Sequence, residues 1–171
     1  MAVSNARPEL GDFSEFFKRQ NILIIEGRYY EDIGKALLEG ATSELASLGV
    51  SYSHVTVPGA LEIPQVLNHA VESGVIGIDG EQLEFSGAIA LGCVIRGETY
   101  HFDIVCNETN RMLMDICREN YIPVGNAILT VETHSQALKR ARGQHNGKGG
   151  EAARACLKII ELAAKFKNEI Y

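Results

Sequence analysis

The chain has 171 residues, of which 46% are hydrophobic and 22% are charged, and its formal net charge is −6 at pH 7. This length and apolar content suit one compact domain with a sizeable core. The acidic balance provides no basic field for nucleic acid or anionic lipid, so neither is an expected partner. No apolar run approaches the roughly 20 residues of a membrane helix. We therefore expect a cytoplasmic protein without a membrane partner.

The first half of the chain alternates between strand and helix patterns. Residues 1–20 are polar and mixed, which predicts an N-terminal arm before a single domain over 21–171. "NILIIE" (21–26) is a short continuous apolar run, as in a strand buried on both faces. Apolar residues at helical spacing predict a helix over 31–48, and the alternation of "SYSHVTV" (51–57) predicts a second strand.

The middle of the chain continues the alternation after one long connection. Apolar spacing predicts a helix around 63–71, and residues 73–86 follow as a connection with a small hairpin near Asp79 and Gly80. "AIALGCVI" (88–95) carries no charge and predicts the most buried strand. The next apolar stripe, from Phe102 to Cys117, predicts the helix that follows it.

The last part of the chain predicts one strand and two helices. "IPVGNAILTV" (122–131) is a fourth strand, and Thr133 to Gln136 fit a capping box that opens a helix. After the loop "GQHNGKGG", apolar spacing predicts a last helix over 152–166. The order β-α-β-α-β-α-β-α-α predicts an α/β fold with parallel strands, right-handed crossovers and helices on both sides of the sheet.

Ligands of such folds bind outside the carboxyl ends of the strands. This rule selects "EGRYY", "PGALE", "RGETYH" and "VETH", one segment after each predicted strand. In "RGETYH", backbone N–H groups near Glu98 and Thr99 at a helix start can hold an anion, and His101 can transfer protons near neutral pH. The alternatives are an ordinary N-cap by Thr99 and a histidine that is merely on the surface.

The other reactive side chains give no independent indication of a functional site. The four cysteines have no metal-ligand spacing, fall on apolar positions and are expected to be buried and reduced; they are Cys93, Cys106, Cys117 and Cys156. The remaining histidines are interpreted as structural: His54, His69, His134 and His145. Tyr29 could stack on a planar ligand or simply pack. "GQHNGKGG" lacks the spacing and the Ser or Thr of a phosphate-binding P-loop.

Taken together, four segments carry a specific resemblance. "VPGALEIP", "ALGCVIRGETYHFDIVCNE", "PVGNAILT" and "NGKGGEAA", in this order and at these separations, closely resemble the lumazine synthase family. The resemblance extends from about Asn21 to Lys165. It implies a flavodoxin-like, three-layer αβα sandwich with a four-stranded parallel sheet, assembled at least as a homopentamer with active sites between subunits.

The resemblance also implies a reaction, the penultimate step of riboflavin biosynthesis. The family condenses 5-amino-6-ribitylaminouracil with 3,4-dihydroxy-2-butanone 4-phosphate, giving 6,7-dimethyl-8-ribityllumazine, phosphate and water. The family uses no metal and no organic cofactor. The exocyclic amine of its substrate is already a nucleophile, so no activated serine or cysteine is needed. Riboflavin synthase is a candidate partner.

Residue roles carried over from the family fall on matching positions. His101 matches the proton-transfer histidine. The turn that receives the phosphate corresponds to Gly97, Glu98 and Thr99, and Arg140 matches the arginine that pairs with this phosphate. The remaining substrate contacts correspond to Tyr29 stacked on the pyrimidine, to Ala60, Leu61 and Glu62 beside the ribityl chain, to backbone groups of Val94 and Ile95, and to Asn126, Lys148 and Glu151.

Some positions depart from the family pattern. Many members have Phe-Asn where this chain has Tyr29 and Tyr30, and Asn126 replaces an aromatic residue that covers the phosphate pocket. Weaker substrate binding is one hypothesis that follows. Shell-forming members usually carry "GTKAGNKG" where this chain has "RGQHNGKG", which favours a pentamer or decamer over a capsid. A catalytically weakened flavin- or lumazine-binding protein and a structural paralogue are the alternatives to an enzyme.

Overall fold

The computed structural model describes residues 8–77 and 83–170. Its strands and helices, in chain order, are α1 (Ser14–Phe17), β1 (Asn21–Gly27), α2 (Glu31–Ser47), β2 (Ser51–Val57), α3 (Glu62–Glu72), β3 (Gly87–Ile95), α4 (His101–Asn120), β4 (Val124–Val131), α5 (His134–Ala141) and α6 (Gly147–Phe166). The predicted order of strands and helices is confirmed. The hairpin predicted at Asp79 and Gly80 lies outside the described residues.

The four strands form one parallel sheet in the order β2-β1-β3-β4. The two central strands, β1 and β3, are buried along nearly their whole length, which is why their sequences are continuously apolar. The edge strand β2 is mostly exposed or half-buried, in keeping with its alternating sequence. The predicted α/β sandwich with a parallel sheet is therefore confirmed.

Helices cover both faces of this sheet and produce two core clusters. One cluster lies under α2, α5 and α6 and includes Leu37, Ala137 and Leu157. The other lies under α3 and α4 and includes Leu67 and Leu113. The two faces are separate environments, so a side chain on α5 or α6 lies across the sheet from one on α3 or α4.

The described part of the N-terminal arm packs on α6. Phe17, at the end of α1, is only 2% exposed, and the Gly11 amide donates to the Glu161 carboxylate at 3.1 Å. The Phe13 ring lies under the Lys165 ammonium, 4.9 Å from nitrogen to ring centroid. The sequence pattern did not predict α1. None of the described helices is long and apolar enough to cross a membrane.

Candidate active site

A cavity of about 500 Å³ lies at the carboxyl end of the sheet. The loops after β1, β2 and β3 and the first turn of α4 line it. This is the location that the strand order predicts for a ligand site. The cavity brings together most of the predicted site residues: Tyr29, Ala60, Leu61, Glu62, Val94, Ile95, Gly97, Thr99 and His101.

Close packing of two loops presents Tyr29 to this cavity. The Arg28 amide donates to the Val57 carbonyl at 2.9 Å. A Cβ at Gly27 would lie only 2.8 Å from the Gly59 carbonyl oxygen, so the loops after β1 and β2 meet at a position that requires glycine. Tyr29 is 72% exposed and its ring lies edge-on to Tyr30 at 4.9 Å. An aromatic surface is therefore available to a planar ligand.

The turn between β3 and α4 supplies free hydrogen-bond donors. Within the described part of the chain, the amides of Gly97, Glu98 and Thr99 donate to no acceptor. The N-cap of α4 is Tyr100 and makes no side-chain cap, so the alternative of an ordinary N-cap by Thr99 is wrong. These amides, at the positive end of a 20-residue helix, form an environment for an anionic group. His101, the first residue of α4, is exposed and faces the same cavity.

Arg96 connects this turn to the first turn of α4 and to the end of β4. Its guanidinium donates to Asp103 at 3.1 Å and forms an ion pair with Glu132 at 3.1 Å. It also lies 4.1 Å from the centre of the Phe102 ring. The hydrogen bond to Asp103 raises the pKa of Arg96 above its ordinary value. The end of β3, the start of α4 and the end of β4 are thereby joined, which fixes the backbone that carries His101.

The cavity is also lined by residues that were not predicted as site residues: Tyr30, Pro58, Gly59, Cys93, Phe102 and Val105. Their sequence signal is that they lie within the same motif segments as the predicted residues. Burial raises the pKa of Cys93 to about 12, so its thiol is no nucleophile at neutral pH. Cys93, Cys117 and Cys156 are buried and free, and Cys106 is half-buried and free. No cluster of three or more metal-ligating side chains occurs among the described residues.

The other predicted residues lie outside this cavity. Glu98 is exposed in the turn itself. Asn126 is exposed on β4 and donates to Asn110 of α4 at 2.7 Å. Arg140 is exposed in the last turn of α5, and Lys148 forms an ion pair with Glu151 in the first turn of α6. The basic residues of α5 and α6 therefore belong to the opposite side of the sheet from α3 and α4.

The fold and the cavity define a parallel α/β protein that can bind a planar group, hold an anion and move a proton. A family model described as 6,7-dimethyl-8-ribityllumazine synthase matches residues 19–164. The chain belongs to this family.

Known proteins with similar sequences have the same description. The 6,7-dimethyl-8-ribityllumazine synthase of Agrobacterium fabrum is 50% identical over 148 residues, which cover 86% of this chain and 97% of that protein. The 6,7-dimethyl-8-ribityllumazine synthase 1 of Rhizobium meliloti is 49% identical over 152 residues, covering 89% and 97%. The protein of this name from Nitrobacter hamburgensis is 48% identical over 144 residues, covering 84% and 86%.

Proposed function

We propose that this chain is a 6,7-dimethyl-8-ribityllumazine synthase of riboflavin biosynthesis that acts in the cytoplasm. It condenses 5-amino-6-ribitylaminouracil with 3,4-dihydroxy-2-butanone 4-phosphate and releases phosphate and water. The observation that carries the proposal is the meeting of His101, the free amides of Gly97 and Thr99 and the Tyr29 ring in one cavity, in a chain of this family.

The pyrimidine substrate occupies the part of the cavity beside the first two loops. Tyr29 stacks on the heterocycle, and backbone groups of Val94 and Ile95 hydrogen-bond to its edge. The ribityl chain runs past Ala60 and Leu61, where the Glu62 carboxylate accepts hydrogen bonds from its hydroxyls. Both ends of the substrate are then fixed, which brings the 5-amino group to the second substrate in a reactive orientation.

The butanone phosphate occupies the turn between β3 and α4. Amides of Gly97, Glu98 and Thr99 hold its phosphate, and they stabilise the negative charge as the C–O bond to the phosphate breaks. His101 protonates the hydroxyl that leaves as water when the imine forms, and it assists the proton removal that accompanies phosphate elimination. The ribitylamino nitrogen then attacks the carbonyl that phosphate elimination leaves on the four-carbon unit, and loss of a second water closes the ring to give the lumazine. The nucleophiles are the 5-amino group and then the ribitylamino nitrogen of the substrate, so no activated serine or cysteine is required.

A second copy of the chain completes this site in our proposal. The remaining residues of the family set, Asn126, Arg140, Lys148 and Glu151, lie outside the cavity of their own chain. The outer side of α4 exposes Ile104 to 44% and Met114 to 56%, and apolar groups of this kind suit contact with another subunit. Arg140 of one subunit would then pair with the phosphate bound to its neighbour, for which its bidentate guanidinium is well suited.

A homopentamer or a decamer is the assembly we propose, because the loop before α6 lacks the sequence of shell-forming members. Native mass spectrometry should find about 94 kDa, five times the chain mass of 18.7 kDa, or twice that value. A shell of many pentamers would contradict the proposed role of the loop. Association with riboflavin synthase is a separate proposal, which co-purification of the two proteins would test.

The enzymatic proposal is tested by mixing purified protein with both substrates and following the absorbance of the lumazine product. Product must form faster than in the spontaneous reaction without protein. Binding of lumazine without turnover would instead identify a catalytically weakened binding protein, and neither binding nor turnover would leave a structural paralogue. The names of the similar proteins favour the enzyme over both alternatives.

A further inference from the structure

A buried carboxylate lies beneath the loop that carries Tyr29. Glu26 has 0% exposure and does not line the cavity. Arg28 donates to both of its carboxylate oxygens, from Nε to Oε1 at 2.8 Å and from Nη2 to Oε2 at 2.7 Å. His54 Nε2 contacts Oε2 at 2.7 Å. Burying a charge without partners is costly, so this group requires both.

The contacts of Glu26 join four parts of the fold. Glu26 is the penultimate residue of β1, Arg28 begins the loop that follows, and His54 belongs to the neighbouring edge strand β2. On the fourth side is Gly34 of α2, where a Cβ would lie 2.5 Å from Glu26 Oε1. Because Gly34 has no side chain, α2 leaves room for the Glu26 carboxylate. Through its bonds to Arg28, this carboxylate ties the loop after β1 to the sheet.

We infer that Glu26 is a positioning residue for the pyrimidine half of the active site, acting through Arg28 on Tyr29. This inference rests on the proposed function, since it assigns Tyr29 to the pyrimidine. Tyr29 is 72% exposed and has little packing of its own. A stacking ring that is already ordered before binding loses less conformational entropy when the substrate arrives. The bidentate ion pair adjacent to it in the chain supplies this order.

Glu26→Gln is the direct test, because it keeps the shape of the side chain and removes its charge. We expect the KM for the pyrimidine substrate to rise by roughly tenfold, with kcat and the KM for the butanone phosphate nearly unchanged. Glu161→Gln is the matched control. Glu161 is also 0% exposed and accepts from Lys158 and Lys165, but it lies far along α6, against the N-terminal arm.

A merely structural role would lower the melting temperature of both variants and leave both KM values unchanged. That result for folded Glu26→Gln would overturn the inference. Normal turnover by the wild type and by Glu161→Gln would still support the proposed function, so the two failures are distinguishable.

If Glu26→Gln does not fold, Arg28→Lys tests whether Glu26 acts through Arg28. The Arg28 side chain is 41% exposed, and lysine keeps the charge but cannot form the two-pronged contact. We expect the same selective rise in the KM for the pyrimidine substrate. An unchanged KM in this variant would also overturn the inference.

Discussion

Replacing Gly34 by alanine should destabilise the protein, although helix propensity alone predicts the opposite. Gly34 lies in the first turn of α2, where the added methyl group would meet Glu26 Oε1 at 2.5 Å. An ordinary contact is at least 3.4 Å, so the carboxylate must move by roughly 0.9 Å. If the carboxylate moves away from Arg28 and His54 by this distance, its bonds to them, now 2.7 to 2.8 Å, exceed hydrogen-bonding distance.

Two opposing contributions to the free energy of unfolding determine whether Gly34→Ala stabilises or destabilises the protein. Alanine gains about 1 kcal/mol over glycine in a helix. Separating a buried charge from its partner costs about 3–5 kcal/mol, and we take the lower figure because 41% of the Arg28 side chain is exposed to solvent. The net loss is about 2 kcal/mol. In a chain of this length, such a loss lowers the melting temperature by about 4–8 °C.

Thermal unfolding followed by circular dichroism measures this change. Ser43→Ala is the control, since Ser43 is exposed on the same helix and its replacement should stabilise the protein by up to about 0.5 kcal/mol. Gly34→Ala should also raise the KM for the pyrimidine substrate, as we expect for Glu26→Gln. A Gly34→Ala protein at least as stable as the wild type would refute the reasoning, because the carboxylate would then move without losing its partners.

Three further predictions concern catalysis, packing and pH. His101→Ala should lower kcat by roughly 10²- to 10⁴-fold, whereas Arg140→Ala should mainly raise the KM for the butanone phosphate; steady-state kinetics showing equal, negligible effects would refute both roles. The Thr109 hydroxyl is fully buried and has no hydrogen-bond partner among the described residues, so urea denaturation should show Thr109→Val to be about 1 kcal/mol more stable. Thr42→Val should show no such gain, because the Thr42 hydroxyl donates to a backbone carbonyl at 2.9 Å; a gain as large as that of Thr109→Val would contradict the explanation. Burial acts to raise the pKa of Glu161, but bonds from a lysine and a backbone amide outweigh it and lower this pKa below its ordinary value of 4.5. The stabilisation is therefore complete above pH 4.5 and is lost as the pH falls through the lowered pKa; Glu161→Gln should lose less stability than the wild type on acidification, and equal losses would count against this assignment.

The order of the strands and helices could be predicted because each pattern reflects a simple burial requirement. A central parallel strand has both faces covered, so β1 and β3 are continuous apolar runs. The N-cap of α5 is local chemistry, and the structure confirms this half of the capping box with a bond from the Gln136 amide to Thr133 Oγ1 at 3.2 Å. The Gln136 side chain accepts from the Glu132 amide at 3.0 Å instead of from the Thr133 amide. By contrast, the four residues of α1 are too few to display helical periodicity. The position of this helix depends instead on packing of Phe17 into the core cluster that lies under α2, α5 and α6.

The part of the site next to strand ends could be predicted for a similar reason. Gly97, Thr99 and His101 directly follow a strand, and the parallel sheet brings such loops to one edge. The set of contacts that Glu26 makes with Arg28 and His54 could not be predicted. It includes a contact between side chains of β1 and β2 that are 28 residues apart in the chain. His54 was accordingly interpreted only as a structural histidine. The motif resemblance likewise assigned Arg140 to the phosphate without indicating which subunit's cavity this residue would serve.

The most direct measurement of the central claim is the activity of mixed oligomers made by co-expressing His101→Ala and Arg140→Ala chains. If the neighbouring subunit completes each site, random assembly should leave about a quarter of the sites with both wild-type residues. Turnover at a low concentration of the butanone phosphate should then recover to about a quarter of the wild-type rate, well above either variant alone. A rate no higher than the average of the two separate variants would contradict a site built from two copies of this chain.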